Sequence, residues 1–168
     1  IAGSFPRFTA RKNEILISEN NEKITYPIDP EGDCAVFIFK TVSDQFGKQS
    51  YFKVMNGKLK KDTVLINART GEHEKFSHIY TMRGKKQTEV DVLCCGDIGT
   101  ISKLGNTASC DTLSEKGNIK YDVIDFPNPY MCMAISASGK GDEDKISSGI
   151  SRLLEEDATI RFENNSET

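Results

Sequence analysis

Ala35-Val36-Phe37-Ile38-Phe39-Lys40-Thr41 decides the fold class. Ala35, Phe37, Phe39 and Thr41 alternate with Val36, Ile38 and Lys40, the period-2 signature of a strand. Working outward from it, the same reading predicts strands at 50–56 and 63–67, a long one at 74–82, and shorter ones at 98–103 and 121–126. Gly47, Gly57, Gly71, Gly84, Gly96, Gly105 and Gly117 fall between these runs, where tight corners need a permissive backbone. Short strands punctuated at this spacing predict a closed or partly closed β-barrel, the arrangement that removes exposed edges. No long helical period precedes residue 140, so the fold class is mainly β.

N-terminal to this region, residues 1–32 read as a lead-in punctuated by Pro6, Pro27 and Pro30. Residues 15–17 and 24–26 have the composition of a small hairpin across the polar turn Glu19-Asn20-Asn21-Glu22. C-terminal to it, Phe126-Pro127-Asn128-Pro129 makes a stiff, extended connection and a domain boundary. Residues 130–136 then read as a strand that is apolar on both faces, hence central in a sheet. After the Gly139-Lys140-Gly141 loop, Ile146, Ile150, Leu153 and Leu154 recur at i, i+4, i+7 and i+8, one face of a helix. Asp142, Glu143 and Asp144 lie in its first turn, where carboxylates suit the positive end of the helix dipole. Residues 159–162 read as the next strand. The order β-α-β is the first half of a split βαββαβ, ferredoxin-like unit. Such a half leaves its helix-packing face and a sheet edge open, which predicts a piece of a longer protein. The predicted organisation is therefore lead-in 1–32, barrel 33–126 and half-domain 127–168.

The 168 residues carry 22 basic and 25 acidic side chains, a formal net charge of −3. That balance excludes a uniformly basic nucleic-acid coat but not a local basic patch. The longest apolar runs, such as 34–39, are too short to cross a bilayer, and residues 1–8 lack a signal peptide's apolar stretch. Five cysteines, Cys34, Cys94, Cys95, Cys110 and Cys132, are an odd count with an adjacent pair. This argues against a secreted disulfide framework and for a reduced, cytoplasmic chain with no membrane partner.

Chemistry-bearing motifs are sparse. The phosphate-cradling pattern G-x-x-x-x-G-K-[ST] is absent, as is G-x-G-x-x-G; Asp44-Gln45-Phe46-Gly47 spells D-x-x-G, a string that chance supplies often. Side chains of Cys94 and Cys95 on successive strand positions point to opposite faces, one to the core and one to a neighbouring layer, so they suit no shared metal. His73 and His78 are five apart and face opposite sides of a strand. Glu155, Glu156 and Asp157 are most simply a solvated helix end. No catalytic, cofactor or metal site emerges. The remaining clue is basic: Lys58, Lys60 and Lys61 at one turn, Arg83, Lys85 and Lys86 at another, with Lys48 and Arg69 at two more. Lysines clustered at barrel corners can grip a phosphate backbone without reading sequence; ordinary hairpin solubility uses the same residues.

Several strings, in order, resemble the elongation factor G family. Phe52-Lys53-Val54-Met55-Asn56-Gly57-Lys58-Leu59 is similar to the family's second-domain "RVYSGxL", and Asp62-Thr63-Val64 follows as its next strand does. Arg83-Gly84-Lys85-Lys86 resembles the mid-barrel loop, Gly96-Asp97-Ile98 the "AGDI" and Asp111-Thr112-Leu113 the "GDTL" strings. Phe126-Pro127-Asn128-Pro129 is similar to the hinge into the third domain, and residues 141–146 and 153–157 to that domain's helix and exit. Phe5-Pro6 and Arg11-Lys12 resemble the tail that follows the GTPase domain.

The resemblance implies a non-catalytic, ribosome-docking fragment: the translation-factor domain II barrel plus the first half of domain III. It places GTP and Mg in a missing N-terminal GTPase domain, with further domains C-terminal. It gives as partners those domains, the ribosome and small-subunit rRNA, in a parent that drives tRNA–mRNA translocation. Lys48, Lys58, Lys60, Lys61, Arg83, Lys85 and Lys86 are the candidate RNA contacts. The same region of a tetracycline-resistance ribosome protection protein is the alternative. Departures at Met55-Asn56, Gln45 and Ala158 point to a divergent paralogue. Cys110, standing where the family has glycine, is expected to adopt a conformation that a β-carbon permits.

Overall fold

The run that opens the sequence reading becomes the third of twelve strands. In the computed structural model, which describes residues 6, 8–18, 22–44, 47–137, 139 and 141–163, these are β1 (Asn13–Ile17), β2 (Lys23–Pro27), β3 (Ala35–Asp44), β4 (Gly47–Asn56), β5 (Lys58–Lys60) and β6 (Thr63–Asn67). They continue with β7 (His73–Phe76), β8 (Ile79–Arg83), β9 (Lys86–Val90), β10 (Val92–Cys94), β11 (Ile98–Ser102) and β12 (Thr112–Ser114). Among the described residues the one α-helix, α1, spans Glu143–Glu156. The chain divides into two compact units, Ile1–Ile124 and Asp125–Thr168. Glu19, Asn20 and Asn21 of the predicted turn, the Gln45-Phe46 pair, Phe5 and Lys140 lie outside the described residues.

In the first unit, eight antiparallel strands form one sheet in the order β7-β6-β12-β3-β4-β11-β8-β9. Among the described residues no ladder joins β7 to β9, so of the closed or partly closed barrel expected the structure shows an open, curled, barrel-like sheet and not full closure. The physical reason lies in β5 and β10, which pair with each other as a separate two-stranded ribbon. That ribbon packs rather than pairs: its opposed residues Leu59 and Leu93 enter the same core as Val36, Ile38, Phe52, Val54, Leu65, Phe76 and Leu113. Phe52 and Phe76 meet there edge to face, with centroids 5.6 Å apart.

Strand β3 is apolar on both faces because it has a core on both. Val36 and Ile38 face the main core, while Ala35 and Phe37 join Leu16, Ile119 and Tyr121 in a second cluster on the opposite side. Register shifts at Ala35/Val36 and Ile38/Lys40 bend it between the two. The hairpin β1–β2 caps this second cluster, and a single bridge links Leu16 to Tyr121.

Several predicted strands differ. The long strand at 74–82 is two, β7 and β8, broken at Ser77-His78. Phe76 and Ile79 are both fully buried, and an odd separation in one strand would send them to opposite faces. Among the described residues 121–126 form no strand: they contribute the isolated Leu16–Tyr121 bridge and the Asp122 N–H donated to the Ile15 carbonyl. In the second unit, α1 forms as its periodicity predicts, with Asp142 at the N-cap. The flanking stretches 130–136 and 159–162 carry no ladder among the described residues. Their large apolar side chains are exposed, and nothing described in that unit supplies a partner strand.

Candidate nucleic-acid interface

The first basic corner starts from a latch. Asn56, buried, accepts the Asp29 N–H at 2.7 Å on its Oδ1 and donates from Nδ2 to the Asp33 carbonyl at 2.9 Å. Gly57 follows with φ +64° and donates its N–H to the Asp29 carbonyl at 2.9 Å. A β-carbon there would sit 2.4 Å from the Gly32 carbonyl oxygen, so both conformation and space require glycine. From this fixed point β5 alternates: Leu59 inward, Lys58 and Lys60 outward, with Lys61 in the turn behind them.

Two of these lysines are held by carboxylates from distant sequence. Lys58 Nζ lies 2.6 Å from Glu31 Oε1 and 2.8 Å from Oε2. Lys61 Nζ lies 2.6 Å from Glu89 Oε1, which also accepts His78 Nδ1 at 2.8 Å. Glu31 raises the Lys58 pKa, and Glu89 that of Lys61, while His78 and Lys61 together hold the Glu89 carboxyl below its usual range. Lys60 is exposed and has no ion pair among the described residues.

The second corner is the β8–β9 hairpin. Arg83 and Lys86 stand opposite each other, joined through Gly84 and Lys85. Gly84 has φ +60° while Lys85 does not enter the left-handed region, the pattern of a type II′ turn. Arg83, Lys85 and Lys86 are all exposed, with no ion pair among the described residues. Lys86 and Glu89 are three positions apart on β9, about 10 Å along an extended strand. Lys61 thus reaches the β8–β9 hairpin near its base through Glu89, while Arg83, Lys85 and Lys86 stand at the hairpin's tip.

The other predicted basic residues serve differently. Lys48 is half-buried in β4 opposite Ser43, and its carbonyl accepts the Lys103 N–H. Arg69 is a clamp: its Nε and Nη2 donate to the two oxygens of buried Asp111 at 2.6 and 2.8 Å, and Nη2 also reaches the Asn106 carbonyl. Asn67 Nδ2 and the Ala108 N–H complete the set around Asp111. Burial pushes the Asp111 pKa up, but these donors outweigh it and hold the carboxyl below the usual range. The residue before it, Cys110, has φ +69°. It keeps the left-handed turn that suits glycine, in the small part of that region that a β-carbon still permits.

The cysteine pair also differs from its reading. Leu93 fills the core, Cys94 is exposed, and Cys95 sits half-buried in a turn with its Sγ on the Met55 carbonyl at 3.3 Å. Burial raises the Cys95 pKa and pushes the Cys34 thiol up to about 12. Among the described residues no group of three His, Cys, Asp or Glu side chains could hold a metal ion, and no helix is long and apolar enough to cross a membrane. Sequence reasoning missed Glu31, Glu89 and Asn56; the Lys–Glu pairs join positions 27 and 28 residues apart, beyond any local pattern.

Two family models match this architecture: elongation factor G domain 2 over residues 33–116, and elongation factor G domain III over residues 126–168. Curated relatives include elongation factor G 2 of Syntrophomonas wolfei, 36% identical over 146 residues, covering 84% of this chain and 21% of that protein. Elongation factor G of Karelsulcia muelleri is 38% identical, covering 77% and 19%. Elongation factor G of Ureaplasma parvum is 32% identical, covering 90% and 22%. A crystal structure of a Thermus thermophilus protein shares the fold with TM-score 0.70 at 24% identity, over 82% of this chain and 21% of that one. These are two successive domains of an elongation factor. The chain belongs to the elongation factor G family, and it spans about a fifth of the length of the curated relatives it matches.

Proposed function

We propose that this chain is the domain II–domain III region of an elongation factor G-like protein and docks on small-subunit ribosomal RNA through its basic corners, without chemistry of its own. The observation that carries the reading is the set Lys60, Arg83, Lys85 and Lys86, four exposed cations, one on the β5–β10 ribbon and three at the β8–β9 turn, with no ion pair among the described residues. Such a cluster suits phosphate oxygens, whose recognition needs charge and position rather than base edges. Lys58 and Lys61 extend the surface once their carboxylates yield; Lys48, half-buried, is the weakest member.

In the same reading residues 1–32 lead in from a GTPase domain that binds GTP and Mg, 33–126 form the translation-factor barrel, and 127–168 begin the ferredoxin-like domain III. Residues 130–136 and 159–162 gain their strand partners from the rest of that domain. The parent acts in the cytoplasm in tRNA–mRNA translocation.

Co-sedimentation with purified small ribosomal subunits across a salt series tests the docking. Saturable binding that weakens steeply with salt is expected, and the double reversal R83E/K85E should weaken it more than K61E, whose lysine is already paired. Binding that is absent at low salt, or indifferent to both variants, overturns the assignment.

A further inference from the structure

We propose that Glu31 and Glu89 are internal competitors for RNA phosphate: carboxylates built into the docking surface that occupy Lys58 and Lys61 and thereby set its affinity and salt sensitivity. The inference rests on the docking reading and adds to it a pair of tuning residues outside the basic clusters.

Glu31 is carried by a turn anchored at its start. Its N–H donates to Asp29 Oδ1 at 2.9 Å, while the Asp29 backbone is fixed to Asn56 and Gly57 by the latch. The corner that presents Lys58 therefore also presents the carboxylate that covers it, in two-oxygen contact. Glu89 is placed as firmly. It lies in the β8–β9 ladder opposite Tyr80, and the Lys61 N–H donates to the Asp91 carbonyl two residues on. Both pairs stay open to solvent, with Glu31 and Glu89 side chains 75% and 42% exposed. Exposed pairs are weak, so a phosphate polyanion can exchange with them. The exchange has a cost that Lys60, Arg83, Lys85 and Lys86 do not bear, since a phosphate reaching Lys58 or Lys61 must first break an existing contact.

A cation freed of its carboxylate behaves like the unpaired ones, releasing a condensed counterion when it meets a phosphate. Each released counterion adds about 0.7–0.9 to the slope of log affinity against log salt. Glu31→Gln and Glu89→Gln, which keep shape and acceptor but remove charge, are therefore expected to tighten binding of the 168-residue chain to small ribosomal subunits at low salt. Each should steepen the loss of affinity between about 50 and 200 mM salt by roughly threefold. Asp122→Asn, which frees Lys23 outside the two corners, is expected to leave the slope unchanged and so controls for net charge. Adding Lys58→Gln to E31Q should return the slope to that of the parent chain.

Wild-type slopes in both E31Q and E89Q, beside salt-sensitive binding of the parent chain, overturn this inference and leave docking intact. A gain equalled by D122N also overturns it, because net charge alone then suffices. No salt-sensitive binding by parent or variants overturns the docking reading and this inference together.

Discussion

Residues 35–38 and residues 130–135 are both apolar runs with the composition of a central strand, and they end in opposite conditions. In β3 every side chain from Ala35 to Ile38 is at most 9% exposed, and the backbone is paired with β4 on one side and β12 on the other. In the second unit Tyr130, Met131 and Met133 are 93%, 82% and 81% exposed and join no ladder. The helix a few residues later forms without a single buried residue. A helix closes its hydrogen bonds within its own turns, whereas a strand must find its partners elsewhere in the chain. Apolar composition permits a strand; neighbours make it one.

Amide hydrogen exchange gives the widest separation between the two runs. Residues 36–38 should exchange at least about a thousandfold more slowly than residues 131–136, because their opening approaches global unfolding. Equal rates would break the contrast. Core truncation follows: Phe52→Ala should cost about 3–5 kcal/mol in chemical denaturation, against a change within about 0.5 kcal/mol for Met133→Ala. A large loss from Met133→Ala would mean that 130–135 is covered in solution.

A third test stays within the first unit. Arg69→Ala strands a buried carboxylate and should cost about 2 kcal/mol. Because the Asp111 pKa is depressed by folding, its contribution is fully present above the unfolded value, near 3.9, and is lost as pH falls through the folded value. Denaturation midpoints taken from neutral to acid pH should therefore fall less steeply in Asp111→Asn than in the parent chain. Smallest is a gain: Cys110→Gly relieves a left-handed residue and should stabilise by about 0.5–1 kcal/mol, while a loss would show that the cysteine's packing in the second cluster matters more.

The ten-residue strands β3 and β4, the five-residue β6 and β11 and the helix were legible because each carries enough residues to show its own period. Three-residue strands β5, β10 and β12 are too short to do so, and the break at Ser77-His78 follows from Phe76 and Ile79 sharing a core. Whether the barrel closes fully was not legible either, since the Leu59–Leu93 contact that seals the open sheet by packing joins distant segments. The candidate surface divides likewise. Lys60, Arg83, Lys85 and Lys86 stand exposed at the predicted turns, but the carboxylates on Lys58 and Lys61, and the reassignment of Arg69 to Asp111, depend on contacts made only by folding.

The two-sided burial of β3 has a consequence for how the chain avoids error. In a strand with one wet face, slipping by one residue spoils a single core and can be partly absorbed by solvent. A slip in β3 would exchange Phe37 with Ile38 across the strand and disturb both clusters at once, with no polar face to receive the displaced side chains. Its two register shifts already commit the pairing with β4 to one alignment. The strand thereby works as a proofreading element: a misaligned copy gains almost nothing, and only the correct alignment lets both sides of the sheet close.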